Sequence, residues 1–196
     1  MPYNHFNDYP SDIRERAARI KLVCLDVDGT LTDGRLIFDS EGRELKAFHV
    51  HDGQGLVLLR KFGFQVAFVT ARVSTIAEHR AAELGVQAFT GIGDKLACVL
   101  ALAEQHGIDA SDIAFMGDDL PDLRVMQHVG FSIAPANAHP WVRERVNWRT
   151  HAAGGCGAVR ELADLLLGAQ GHVDRLLQEL LAPVNDAPPP AVGTRS

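Results

Sequence analysis

The residues of this chain best suited to chemistry are a group of aspartates, one threonine and one lysine. Asp26 and Asp28 stand one residue apart in Leu25-Asp26-Val27-Asp28-Gly29-Thr30. Asp118, Asp119 and Asp122 share the segment Gly117-Asp118-Asp119-Leu120-Pro121-Asp122. Carboxylates held close together repel one another unless a cation neutralises them. Hard oxygen donors of this kind suit Mg²⁺. Any one of these aspartates alone would read as a turn former or helix cap; it is their combination that points to a site.

Phosphoryl transfer needs a nucleophile, a proton donor for the leaving oxygen and positive charge around the phosphate. Asp26 can attack phosphorus and carry an aspartyl-phosphate. Asp28 can protonate the leaving alkoxide and then activate water. The Thr70 hydroxyl can bond a phosphate oxygen. Lys95, at the start of a helix-like segment, combines a point charge with helix N-terminal N–H groups. Gly29 allows the chain to turn tightly beside an anion.

These residues must be positioned by regular elements, and the chain alternates strand and helix signals. Ser11-Asp12 reads as the cap of a helix to about Arg19. Ile20 to Leu25 reads as a buried strand stopped at Asp-Gly. Leu36 to Phe38 and Leu45 to Val50 flank the turn Asp39-Ser40-Glu41-Gly42, the pattern of a β-hairpin. Helices are expected over Gly53 to Phe62, Ser74 to Leu84, Lys95 to His106, Pro121 to His128, Ala158 to Leu167 and Asp174 to Leu181. Strands are expected over Gln65 to Thr70, Val86 to Phe89, Ile113 to Met116 and Phe131 to Ile133. The fold class is therefore α/β: a three-layer, Rossmann-like parallel sheet with a β-hairpin excursion. Ligands of such sheets sit at the carboxyl ends of the strands. Asp26 and Asp28, Thr70, and Asp118 and Asp119 all follow strands and so fall on that one edge.

The chain has 196 residues, 46% of them apolar and 22% charged, with a net charge of −6. That length suffices for one domain with a substantial core. The negative balance argues against a nucleic-acid partner. No apolar run reaches the ~18 residues of a membrane span, and the N-terminus has no apolar leader, so no membrane partner is expected. The cysteines, Cys24, Cys98 and Cys156, are odd in number and scattered, which reads as reduced thiols of a cytoplasmic protein.

Asp26-Val27-Asp28-Gly29-Thr30, Thr70-Ala71-Arg72, Lys95 and Gly117 to Asp122 resemble, in order, the four motifs of the haloacid dehalogenase superfamily phosphatases. From about Ile20 to Leu167 the chain is similar to the 3-deoxy-D-manno-octulosonate 8-phosphate (KDO 8-P) phosphatase family in particular. Leu31-Thr32-Asp33-Gly34, His51-Asp52-Gly53, Ala138-His139-Pro140 and Gly154-Gly155-Cys156-Gly157-Ala158-Val159-Arg160-Glu161 carry that similarity. The resemblance implies one haloacid-dehalogenase-like domain over residues 1–182, without a cap domain and with its hairpin at about 35–50. Residues 183–196, rich in proline, are expected to be a mobile tail.

The resemblance further implies that Asp26, the backbone carbonyl of Asp28, and Asp118 hold Mg²⁺, with Asp119 and Asp122 supporting them from behind. Thr70, Ala71 and Lys95 would hold the phosphate. Arg72, Arg80 and His51 would face the sugar acid. It also implies a homotetramer built through the hairpins. The substrate would be a sugar-acid phosphate, hydrolysed in lipopolysaccharide precursor synthesis. The chain departs from that family at His51 and Cys156, where arginine is usual, and at Ala71, where glycine is usual. A nine-carbon sugar acid 9-phosphate is the alternative substrate. A phosphoacceptor signalling domain and an inactive assembly domain are the non-enzymatic alternatives. Intact Asp26 and Asp28 argue against the second of these, and the order of the acidic residues argues against the first.

Overall fold

The computed structural model describes residues 8–182. Its centre is β1 (Leu22–Leu25), buried along its whole length. Around it lie β4 (Gln65–Val69), β5 (Gln87–Phe89), β6 (Ile113–Met116), β7 (Phe131–Ala134) and β8 (Trp148–Arg149), after a separate hairpin of β2 (Ile37–Phe38) and β3 (Glu44–Leu45). The main sheet has the order β5-β4-β1-β6-β7-β8, and every pairing in it is parallel. Such a sheet needs cover on both faces, which explains its near-continuous apolar strands.

Successive strand side chains point to opposite faces and divide the core in two. Val23, Leu25, Val66 and Phe68 face α1 (Ser11–Arg19), α2 (Val50–Lys61), α3 (Thr75–Leu84) and α7 (Ala158–Ala169). Leu22, Cys24, Ala67 and Phe115 face α4 (Lys95–Gln105), α5 (Leu123–Met126) and α6 (Pro140–Arg143). Burying side chains such as Phe68 and Phe115 stabilises the fold by about 1.5–3 kcal/mol each. The amphipathic α8 (Val173–Leu181) closes the described chain, with Leu176 as its buried residue. The three cysteines are free thiols. No helix among the described residues is long and apolar enough to cross a membrane. The expected tail over 183–196 lies outside the described residues.

The parallel register aligns the strand ends. Leu25 pairs with Phe68 on one side and with Met116 on the other. The residues that follow these strands, Asp26, Thr70 and Asp118, therefore emerge on one edge.

Several local expectations are corrected. Pro10, with its fixed φ, starts α1, and no side chain caps that helix. Helix α2 begins at Val50, three residues before Gly53, and its glycines lie inside it. Propensity alone would delay the start; close packing explains the glycines. A Cβ at Gly53 would collide with the Arg80 guanidinium, and one at Gly55 would come 3.0 Å from Ala163. The early start leaves only Glu44–Leu45 as the second hairpin strand. The expected helix from Pro121 is a 3-10 turn, Leu120–Asp122, followed by the single turn of α5.

Candidate active site

Asp26 leaves β1 with its N–H bonded to Met116 O at 2.9 Å, which fixes it against β6. Its carboxylate accepts a 2.7 Å hydrogen bond from Lys95 Nζ. Lys95 is the first residue of α4, whose N-cap Asp94 accepts from Ala97 N. The same ammonium donates to Asp122 Oδ1 at 2.6 Å. Asp122 Oδ2 in turn accepts the N–H groups of Asp118 and Asp119 at 3.1 and 3.3 Å. Both oxygens of Asp122 are thus engaged in holding its neighbours. Gly29 has φ +93°, and a Cβ there would collide with the Asp118 carboxylate. Glycine at this turn lets Asp118 lie directly on the backbone that follows Asp26. Thr70 is buried at the end of β4, with its N–H on Phe89 O at 3.0 Å and its hydroxyl accepting from Arg72 N at 3.3 Å.

Asp26, Asp118 and Asp122 each offer an oxygen, and these oxygens lie within 4.8 Å of one another. Burial pushes the Asp26 carboxyl up to about 7; the Asp122 charge adds to this and Lys95 opposes it. Burial likewise pushes Asp118 up to about 7, helped by Asp26, Asp122 and Asp119. For Lys95, burial works against the charge, but Asp26 and Asp122 outweigh it and hold the ammonium above its ordinary range. One cation among three acids leaves a local excess of negative charge. Asp118 Oδ1 is buried with no hydrogen-bond partner. An orphaned buried carboxylate oxygen beside other carboxylates fits a hard divalent cation.

Loops from elsewhere close around this cluster. Gly155 N donates to Thr30 O at 3.0 Å, and a Cβ on Gly154 would collide with Gly29 O. Asn137 Oδ1 accepts from Gly154 N at 2.8 Å, and His139 N donates to Asp118 O at 2.8 Å. The glycine loop leads into α7, whose N-cap Gly157 has no side chain to cap the helix. Asp52, buried in the first turn of α2, supplies the cap by accepting Arg160 N at 2.7 Å and Gly157 N at 3.3 Å. From the other side the hairpin brings Lys46 onto the Asp28 carboxylate and Glu44 onto Arg72.

Comparison with known proteins agrees with this geometry. A family model for haloacid dehalogenase-like hydrolases matches residues 91–159. The 3-deoxy-D-manno-octulosonate 8-phosphate phosphatase of Salmonella typhi is 44% identical over 163 residues, 83% of this chain and 87% of that protein. The chain belongs to this phosphatase family. It is a phosphoric monoester hydrolase of the haloacid dehalogenase-like type. A solved structure of a hypothetical protein from Xanthomonas campestris superimposes with a TM-score of 0.90 at 52% identity, covering 93% of this chain and 100% of that one. The octulosonate 8-phosphate phosphatase of Moraxella catarrhalis, solved with magnesium, phosphate and KDO, gives 0.85 at 40% identity. That match covers 88% of this chain and 99% of the other.

Within the phosphatase, Asp26, Asp118, Asp119, Asp122, Thr70 and Lys95 lie on one sheet edge, as their spacing implied. Asp28 joins them from the turn, but its side chain turns to Lys46 rather than into the Asp26, Asp118 and Asp122 group. Ala71 follows Thr70 and is exposed. Arg72 reaches the turn after β1, its Nε 3.9 Å from Asp28 Oδ2. Arg80 instead bonds Glu83 at 2.7 Å and lies 5.7 Å from the Phe48 ring centre. His51 packs edge-on against His49. Cys156 is exposed in the glycine loop. Sequence reading missed Lys46, Glu44 and Asn137. Glu44 and Lys46 do carry a signal: they alternate with Leu45, and alternation puts them on one face.

Proposed function

We propose that this phosphatase hydrolyses the 8-phosphate ester of 3-deoxy-D-manno-octulosonate, releasing KDO and phosphate for lipopolysaccharide precursor synthesis. The observation that carries the chemistry is Asp26 at the end of β1, buried, tied to Lys95, and beside the orphaned Asp118 oxygen. The sugar acid is proposed from the names of the relatives, including the Moraxella catarrhalis protein solved with KDO.

In the first half-reaction an Asp26 oxygen attacks phosphorus. A bond forms between that oxygen and phosphorus as the ester P–O bond breaks. The leaving sugar oxygen takes a proton from Asp28. In the second half-reaction Asp28 accepts a proton from water as the water oxygen attacks phosphorus, and Asp26 is released with free phosphate. Thr70, Ala71 and Lys95 hold the phosphoryl oxygens, and the Lys95 charge is preorganised for this by Asp26 and Asp122. Asp26, the Asp28 carbonyl and Asp118 would hold Mg²⁺, with Asp119 and Asp122 behind them. Bound there, Mg²⁺ supplies charge neutralisation for the phosphoryl group. Arg72, Arg80 and His51 are assigned to the sugar-acid side of the pocket.

The hairpin exposes Leu36, Ile37, Phe38 and Leu45 by 44–56%. Such a patch supports cover by further copies of the chain, as a homotetramer. The free thiols fit a cytoplasmic enzyme. Phosphate release with Mg²⁺ across eight-carbon 8-phosphates, nine-carbon 9-phosphates and neutral sugar phosphates tests the assignment. The highest kcat/KM is expected for the eight-carbon acid; preference for the nine-carbon acid or a neutral sugar would replace it.

A further inference from the structure

The hairpin contributes polar side chains as well as an apolar patch. Lys46 follows β3, and its side chain is only 2% exposed. Its ammonium donates to Asp28 Oδ1, and it lies 3.3 Å from Glu44 Oε1. Glu44 Oε1 also accepts from Arg72 Nη2 at 2.7 Å, and Arg72 Nε closes the circuit 3.9 Å from Asp28 Oδ2. Two acids and two bases thus alternate around a ring that joins the hairpin, the turn after β1 and the loop after β4. A buried ammonium is costly unless it is paired. Lys46 therefore has to stay on its acids, and it keeps the Asp28 side chain in one orientation. The consequence for Asp28 is asymmetric. Oδ1 is occupied by Lys46, while Oδ2 is buried with no hydrogen-bond partner.

We propose that Lys46 is the positioning residue that orients the Asp28 carboxyl so that its other oxygen, which takes no hydrogen bond, serves the leaving group. The proposal rests on the reading of Asp28 as the proton donor of the first half-reaction. A carboxyl that must hand over a proton as a P–O bond breaks has to be aimed, and small misplacements slow such transfers. Lys46 is not assigned a contact with the substrate. It acts through Asp28, with Glu44 holding the ammonium and linking it to Arg72.

The test compares 4-nitrophenyl phosphate with phenyl phosphate. The two esters have similar shape, but phenolate is much the more basic leaving oxygen and depends more on protonation. The kcat/KM values report events up to phosphoryl transfer to the enzyme, so the later hydrolysis step drops out. Their ratio within one preparation is also independent of the fraction folded. Positioned general acids contribute about 10²–10⁴-fold, so Lys46→Met is expected to lower kcat/KM for phenyl phosphate by about 10–100-fold. The same variant should lower 4-nitrophenyl phosphate by less than about 3-fold, and Lys46→Arg should bring the ratio back towards wild type. Asp28→Asn is measured beside them. Selective loss in Asp28→Asn with equal loss on both esters in Lys46→Met overturns the role of Lys46 and leaves Asp28 as the acid. Equal loss on both esters in Asp28→Asn removes the assignment of Asp28 and the role of Lys46 with it.

Discussion

Replacing Lys95 by methionine keeps most of the apolar stem and removes the ammonium with its charge. In the wild type the Lys95 side chain is 6% exposed, and its ammonium bonds Asp26 at 2.7 Å and Asp122 at 2.6 Å. The variant leaves those carboxylates facing each other in a buried site beside Asp118. Breaking a buried ion pair from one side costs about 3–5 kcal/mol, a large part of the roughly 5–15 kcal/mol that holds a domain together. At about 2–4 °C per kcal/mol for a chain of this size, Tm should fall by about 6–20 °C. The assay is thermal unfolding by circular dichroism at pH 7.5 without metal, repeated at pH 5.5. The deficit should shrink at pH 5.5, because the exposed repulsion between Asp26, Asp118 and Asp122 is relieved by protonation. Mg²⁺ at pH 7.5 should recover part of the loss, since a cation replaces some of the missing charge. Activity should drop by at least about 100-fold, the scale of losing one preorganised stabilising group. A Tm within about 3 °C of wild type at pH 7.5 would refute the account of Lys95 as the counter-charge of the cluster.

Asp26 and Asp118 sit at about 7 in the folded protein against an ordinary 3.8. Between those values the folded form keeps protons that the unfolded chain has shed, so this pair stabilises at low pH and its contribution is lost as pH rises through about 7. The metal-free wild type minus the Asp118→Asn variant should therefore lose stability as pH climbs from 4 to 7, measured by urea unfolding; a flat difference would contradict this. Excess chelator should abolish phosphate release and fresh Mg²⁺ should restore it, whereas undiminished turnover in chelator would remove the metal from the mechanism. Asp52→Ala takes away the carboxylate that caps α7, orphaning Gly157 N and Arg160 N. That should cost about 2–4 kcal/mol in urea unfolding, with Asp52→Asn recovering part of it. A loss below 0.5 kcal/mol would show that the cap is dispensable.

The sheet and its reactive edge were legible because local pattern and global fold agree there. Ile20 to Leu25, Gln65 to Thr70 and Ile113 to Met116 are apolar runs that end on Asp26, Thr70 and Asp118. A parallel register can only bring those ends together. Lys95 was legible for the same reason, as the first residue of a helix on that edge. The start of α2 was not, because Gly53 and Gly55 are dictated by Arg80 and Ala163 on other helices rather than by their own segment. The two-residue β8 and the short α6 are held by tertiary pairing and carry too little pattern to stand out. Asp52 capping a helix 105 residues away and Asn137 holding Gly154 are long-range bonds with no local signature. Lys46 lay in an alternating run, but nothing in that run identifies its partner as Asp28.

The central claim is that Asp26 accepts the phosphoryl group of a sugar-acid phosphate. Its most direct test is rapid acid quenching of the wild-type enzyme during turnover with Mg²⁺ and 3-deoxy-D-manno-octulosonate 8-phosphate radiolabelled in its phosphate, followed by mapping of the labelled peptide. Label is expected on Asp26, at up to one phosphoryl group per active site, and absent from Asp26→Asn. Label on another residue, or rapid turnover by Asp26→Asn, would contradict the account.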